Sequence, residues 1–173
     1  MGLGPWAVGH RADVARVALV LLGSLLIVNT AIHQPNNENE WAQIGPYGST
    51  DPGVITSGTR QPPLDPLLGA VVQHALGEGQ LRQRLVAVAC GIASLVLMAA
   101  LLRRLRTGAW GVLALGLLAT APVFLRYSAY IRPYALPVTL MLVACWSGSR
   151  WLDEGRRRWL VVAGAAGILL PLA

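Results

Sequence analysis

Five long apolar blocks, separated by arginine-bearing connectors, constrain this chain more than any other feature. They cover about residues 17–32, 85–102, 109–125, 135–149 and 159–173. An amphipathic soluble helix carries its apolar residues as a stripe, whereas these blocks are apolar all round. A helix that spans a bilayer needs about 20 such residues, and fewer when aromatic or snorkelling basic residues flank it. Only 13% of the 173 residues are charged and 54% are hydrophobic. A soluble domain carries roughly 25% charged residues. The expected fold class is therefore all-α: multi-pass transmembrane helices in one module covering residues 1–173.

All 14 basic residues are arginine, and against eight acids they give a net charge of +6. They fall in clusters beside the apolar blocks and form no continuous basic face. Lipid headgroups and membrane topology account for that pattern, and nucleic-acid binding does not. With the N-terminus in the cytoplasm, Arg11, Arg16, Arg103, Arg104, Arg106, Arg150, Arg156, Arg157 and Arg158 lie inside. Arg60, Arg82, Arg84, Arg126 and Arg132 then lie outside. This asymmetry places the chain in the cell membrane with a cytoplasmic N-terminus and residues 34–84 as a long outer loop. The first block is read as an uncleaved anchor, not a signal peptide. The two cysteines, Cys90 and Cys145, lie inside apolar blocks and define no disulfide framework.

The first half of the outer loop, residues 34–60, is rich in Asn, Gly, Pro, Ser and Thr and reads as irregular structure. Beyond it, Leu64, Leu67, Leu68, Val71, Val72 and Ala75 recur at helical spacing. They give a short helix over about 63–76, too short to span and suited to the outer membrane surface. Between the third and fourth blocks stands Arg126-Tyr-Ser-Ala-Tyr-Ile-Arg-Pro-Tyr134, polar, aromatic and doubly basic. Two arginines and three tyrosines at a membrane edge either anchor helix ends or line a polar cavity.

Taken together, these residues resemble family 39-type glycosyltransferases, the membrane enzymes that include protein mannosyltransferases and aminoarabinose transferases. Arg60-Gln-Pro-Pro-Leu-Asp-Pro-Leu-Leu68 is similar to the family's "PPL" juxtamembrane element. Arg132-Pro-Tyr-Ala-Leu136 is similar to the segment that joins its third and fourth spans. The resemblance runs from the first span to the fifth. It implies the N-terminal part of a type-C glycosyltransferase fold, which moves a sugar from a polyprenyl-phosphate donor to an acceptor on the extracytoplasmic face. Such chemistry uses a carboxylate in the first outer loop, as general base or to hold acceptor or metal, and cations that neutralise the leaving phosphate.

The carboxylate candidates are Glu38, Glu40, Asp51 and Asp65. Where the family shows an Asp-Glu pair, this chain has Asn36-Asn-Glu-Asn-Glu-Trp41. The candidates for donor phosphate are Arg60, Arg126, Tyr127, Arg132 and Tyr134. Each has a plain structural alternative: solvated loop acids for Glu38 and Glu40, a cap or turn for Asp65, interfacial anchors for Arg126, Arg132 and the tyrosines. The cofactor stays open. A divalent metal ion is one option, yet His33 and His74 have no ligand-spaced partner and no ligand set is assigned. The expected partners are the lipid-linked sugar donor and membrane lipids, with the acceptor unidentified. The alternative function is a non-enzymatic membrane protein, such as a transporter fragment or a helical subunit. The chain stops at Pro171-Leu-Ala173 within an apolar run, which is read here as a fragment of a longer enzyme, inactive alone.

Overall fold

The computed structural model describes residues 5–35, 38–59 and 62–173. Every regular element among them is helical. The first helix, α1, runs Pro5–His33, which at 1.5 Å per residue is about 44 Å, longer than the bilayer's hydrocarbon core. Four short helices follow it: α2 (Glu38–Tyr47), α3 (Pro52–Thr59), α4 (Leu64–Leu76) and α5 (Gln80–Gln83). The long helix α6 (Leu85–Arg104) then returns along α1, and α7 (Gly108–Thr120) and α8 (Pro122–Tyr127) follow. Helices α9 (Ala135–Glu154) and α10 (Arg157–Leu169) form a hairpin that ends in a 3-10 turn, Leu170–Leu172.

Among the described residues, two helical segments, His10–His33 and Leu85–Arg104, are long and apolar enough to cross a membrane; Gly108–Thr120 is apolar but shorter. The third apolar block is not one helix. Pro122 has no N–H to continue α7 and forces Ala121 into an extended conformation (ψ 119°), so the chain breaks there and restarts as α8.

The first half of the outer loop also departs from the irregular structure expected of it, because it folds into α2 and α3. The start of α3 has a local cause. The Asp51 carboxylate accepts the Gly53 N–H at 2.8 Å, and Pro52 occupies the first helical position, where its missing donor costs nothing. By contrast, α4 lies where the periodicity puts it. Its buried face carries Asp65, Gly69, Ala70 and Gln73, while Leu68, Val71 and Leu76 point outward.

Two hydrophobic clusters hold these pieces. The larger joins Ile27 and Ala31 of α1, Val88 and Leu95 of α6, Leu115 and Ala119 of α7, and Ala129. The smaller joins Ile44 and Tyr47 of α2, Ile55 of α3, Ala70 of α4, and Ile131. The segment after α8 therefore places one residue in each core, Ala129 in the larger and Ile131 in the smaller, and so ties the loop helices to the long ones. Its approach to α6 depends on a glycine. A Cβ on Gly91 would lie 2.5 Å from the Cβ of buried Ser128.

At the hairpin, Gly155 takes the left-handed conformation (φ 63°) that lets α9 turn into α10. Arg150 bonds Glu154 at 2.7 Å and lies over the Trp146 and Trp159 rings. We expect Gly91→Ala to destabilise the protein by about 1–3 kcal/mol, because Ser128 has no room to retreat. Thermal unfolding in detergent checks this. Gly148→Ala, where a Cβ meets nothing within 4 Å, is the control and should be near neutral.

Candidate functional site

The end of the bundle covered by α2–α5 is organised around a carboxylate that meets no solvent. Glu40 and Arg84 both have fully buried side chains, and the Arg84 Nη2 donates to the Glu40 Oε2 at 3.0 Å and Oε1 at 3.2 Å. The other terminal nitrogen, Nη1, donates to the carbonyls of Ala31 at 2.8 Å and Gln34 at 2.6 Å, at the end of α1. Glu40 Oε1 also accepts the backbone N–H of Ile131 at 3.0 Å. This pair thus fastens four parts of the chain: the exit of α1, α2, the entry to α6 and the arginine-tyrosine segment. Buried charges persist only when paired and hydrogen-bonded in this manner.

Below the same segment lies Asp65. It is buried in the first turn of α4, in a cavity of about 10 Å³ shared with Tyr47, Gln83, Tyr130 and Arg132. That volume suits about one water molecule. Burial pushes the Asp65 carboxyl up to about 6. Burial, and secondly the nearby Asp65, raises the Tyr47 phenol well above its ordinary value. The Tyr47 ring lies flat against Gly69, where a Cβ would come within 2.6 Å of the ring. Asp65 is not a helix cap. The cap position of α4 is Pro63, and no side chain caps it.

In the arginine-tyrosine segment, Arg126 and Tyr127 end α8 and residues 130–134 form a pair of tight turns. Arg132 N–H donates to the Tyr130 carbonyl and Tyr134 N–H to the Arg132 carbonyl, each at 2.8 Å. Tyr127 at the end of α8 and Tyr134 at the end of these three-residue turns are exposed, with their rings 4.6 Å apart. Arg126 is exposed, its guanidinium 5.9 Å from the Tyr130 ring. It borders an open groove of about 560 Å³ against Asn29, Thr30, His33, Gln34 and Pro35.

The structure therefore brings Glu40, Asp65, Arg126, Tyr127, Arg132 and Tyr134 to one end of the molecule. Asp51 is the exposed cap of α3. Glu38 opens α2. Arg60 lies outside the described residues. Among the described residues, no group of three or more His, Cys, Asp or Glu converges as a metal site. Sequence reasoning missed Arg84, Tyr47 and Gln83 as parts of the site. An arginine directly before an apolar span looks like an interfacial anchor, and its partner Glu40 lies 44 residues away.

Residues 60–169 match the model of the dolichyl-phosphate-mannose-protein mannosyltransferase family, well over half of the chain. The chain belongs to that family. Comparison with curated proteins and with solved structures found no match. The matched portion of this mannosyltransferase-family chain holds Asp65, Arg84 and the whole arginine-tyrosine segment, while Glu40 precedes it. Family membership and the two long apolar helices make this a helical membrane protein of glycosyltransferase type.

A raised carboxyl pKa has a definite sign in stability. The folded state holds the Asp65 proton more tightly than the unfolded chain, so this contribution is complete below about pH 4 and lost as pH rises through about 6. A shift of this size corresponds to about 3 kcal/mol. Asp65→Asn should remove that loss and be at least as stable as the parent at pH 7.5. Melting temperatures between pH 4 and 8 test it, and equal pH slopes for parent and variant would contradict it.

Proposed function

We propose that this chain builds the donor-phosphate end of a membrane enzyme that transfers a sugar from a polyprenyl-phosphate carrier to an acceptor on the extracytoplasmic face. Family membership supports glycosyl transfer. Half-buried Arg132 shares a small cavity with the buried Asp65 carboxyl, and exposed Arg126 borders the neighbouring open groove, which supports the assignment of this end. On this reading the protein sits in the cell membrane, with its N-terminus cytoplasmic and residues 34–84 outside. The surplus of arginines at the opposite helix ends supports that orientation.

In the proposed reaction an acceptor hydroxyl attacks the anomeric carbon while the bond from that carbon to the carrier phosphate breaks. The phosphate leaves with the bonding electrons. Arg126 and Arg132 meet its growing negative charge through charge-assisted hydrogen bonds, and Tyr127 and Tyr134 add donors at the rim. Asp65 in its ionised form takes the acceptor proton, and a carboxyl titrating near 6 is matched to that task near neutral pH. Glu40 acts through the backbone, as a positioning residue that holds Ile131 and so sets where Arg132 sits. Glu38 at the start of α2 is the second candidate base and Asp51 ranks behind it, while Arg60 ranks behind Arg126 and Arg132 among the candidate phosphate ligands.

The test is binding of a short-chain polyprenyl-phosphate mannose to the purified protein, against the matching polyprenyl alcohol. The phosphate-bearing compound should bind in preference, and Arg126→Ala and Arg132→Ala should each weaken it about tenfold or more. Equal affinity for the alcohol, or no effect of either substitution, would overturn the assignment.

A further inference from the structure

The opposite end of the bundle carries a second charged cavity that the transfer reaction does not use. Its volume is about 550 Å³, and its walls include Arg11, Asp13 and Arg16 of α1 and Arg103, Arg106 and Gly108 at the connection from α6 to α7. Four guanidiniums face one carboxylate there. Asp13 is already engaged, at 2.9 Å from Arg16 and 3.7 Å from Arg103, so the surplus in the cavity is cationic.

Arg16 is the unusual member, with a side chain 7% exposed. Its terminal nitrogens donate to Asp13 and to the Gly108 carbonyl, and its buried Nε has no partner among the described residues. A buried cation with an unanswered N–H gains from any anion brought into the cavity. Arg106 adds a second sign of constraint, since it holds a left-handed backbone (φ 52°) that non-glycine residues seldom adopt.

The cavity also has an apolar extension. A groove of about 370 Å³ shares Asp13, Arg16 and Arg103 with it and runs between α1 and α6 over Val17, Val20, Leu21, Val96, Ala99 and Ala100. These residues belong to the two helices long enough to cross the membrane. A cationic cup opening onto an apolar slot along membrane-spanning helices is complementary to one class of molecule, a lipid with an anionic phosphate headgroup.

We propose that this end is a binding site for an anionic phospholipid, with its phosphate among Arg11, Arg103 and Arg106 beside Arg16 and one acyl chain in the groove between α1 and α6. Bulk phospholipid and a polyprenyl phosphate share that chemistry.

The experiment titrates the 173-residue chain in neutral detergent with short-chain phosphatidylglycerol, phosphatidylcholine of the same chains, glycerol 3-phosphate and polyprenyl phosphate, read by native mass spectrometry and melting temperature. Phosphatidylglycerol should bind saturably and at least about tenfold more tightly than phosphatidylcholine, and glycerol 3-phosphate should fail to bind for want of a tail. The triple variant Arg11→Gln, Arg103→Gln, Arg106→Gln alters exposed side chains and should weaken phosphatidylglycerol about tenfold or more. Val96→Trp, which fills the groove and leaves the cup intact, should weaken it independently; it keeps the test decisive if the triple variant misfolds. Polyprenyl phosphate that displaces phosphatidylglycerol, and loses affinity in the triple variant, would identify the carrier as the occupant of the site. Equal binding of the two phospholipids, or unchanged affinity in both variants, would overturn the proposal.

Discussion

A guanidinium and a carboxylate, neither touching solvent, carry the architecture of the loop-covered end. Without Arg84, the Ala31 and Gln34 carbonyls at the exit of α1 would lose that donor and Glu40 its guanidinium. Among the described residues, the short helices α2–α4 share a core of Ile44, Tyr47, Ile55, Ala70 and Ile131. The Arg84–Glu40 pair ties this layer to the long helices. Burying two charges is costly, and removal of one partner from such a pair typically destabilises by about 3–5 kcal/mol. Here the guanidinium is further satisfied by two carbonyls and the carboxylate by a backbone N–H, which offsets that cost.

The consequence for function follows from the last of those bonds. Glu40 holds the Ile131 amide, and Ile131 stands one residue before Arg132. The turn that carries Arg132 is therefore held by α2, and α2 is tied to α1 and the entry of α6 through Arg84. The long helices bring the apolar surface and the fixed ends, the loop layer brings a buried carboxyl, and the segment after α8 closes over it. The cationic cup at the opposite end shares only the long helices with this arrangement.

Much of the fold was legible in the sequence because lipid-facing helices must be apolar along their length. The apolar blocks at 85–102 and 135–149 fall in helices α6 and α9, of which α6 is long and apolar enough to cross a membrane, and residues 64–76 of the expected short helix form α4. The break at Ala121 was legible in principle, since Pro122 announces it, but hydropathy averages over a single proline. In residues 34–60 the abundance of Asn, Gly, Pro, Ser and Thr masked a local signal, Asp51-Pro52, that starts α3. The site was legible by composition and not by role. Asp65 and Glu40 were both candidates, yet a carboxylate's task is set by what surrounds it. The partners of Glu40 lie 44 and 91 residues further along the chain. The apolar stripe of α4 misled in a different way, because that helix buries its polar residues Asp65 and Gln73 and turns Val71 outward.

The most direct measurement is hydrogen–deuterium exchange across residues 126–136 in the parent, in Glu40→Ala, in Arg84→Ala and in the double variant. If the ion pair is the strut, either single substitution speeds exchange at the Ile131 amide and its neighbours by about tenfold or more, and the double variant adds little beyond either one. Protection of that segment unchanged in Glu40→Ala, with α2 alone loosened, would contradict the account. The arginine-tyrosine turn would then be held by its own contacts with α6.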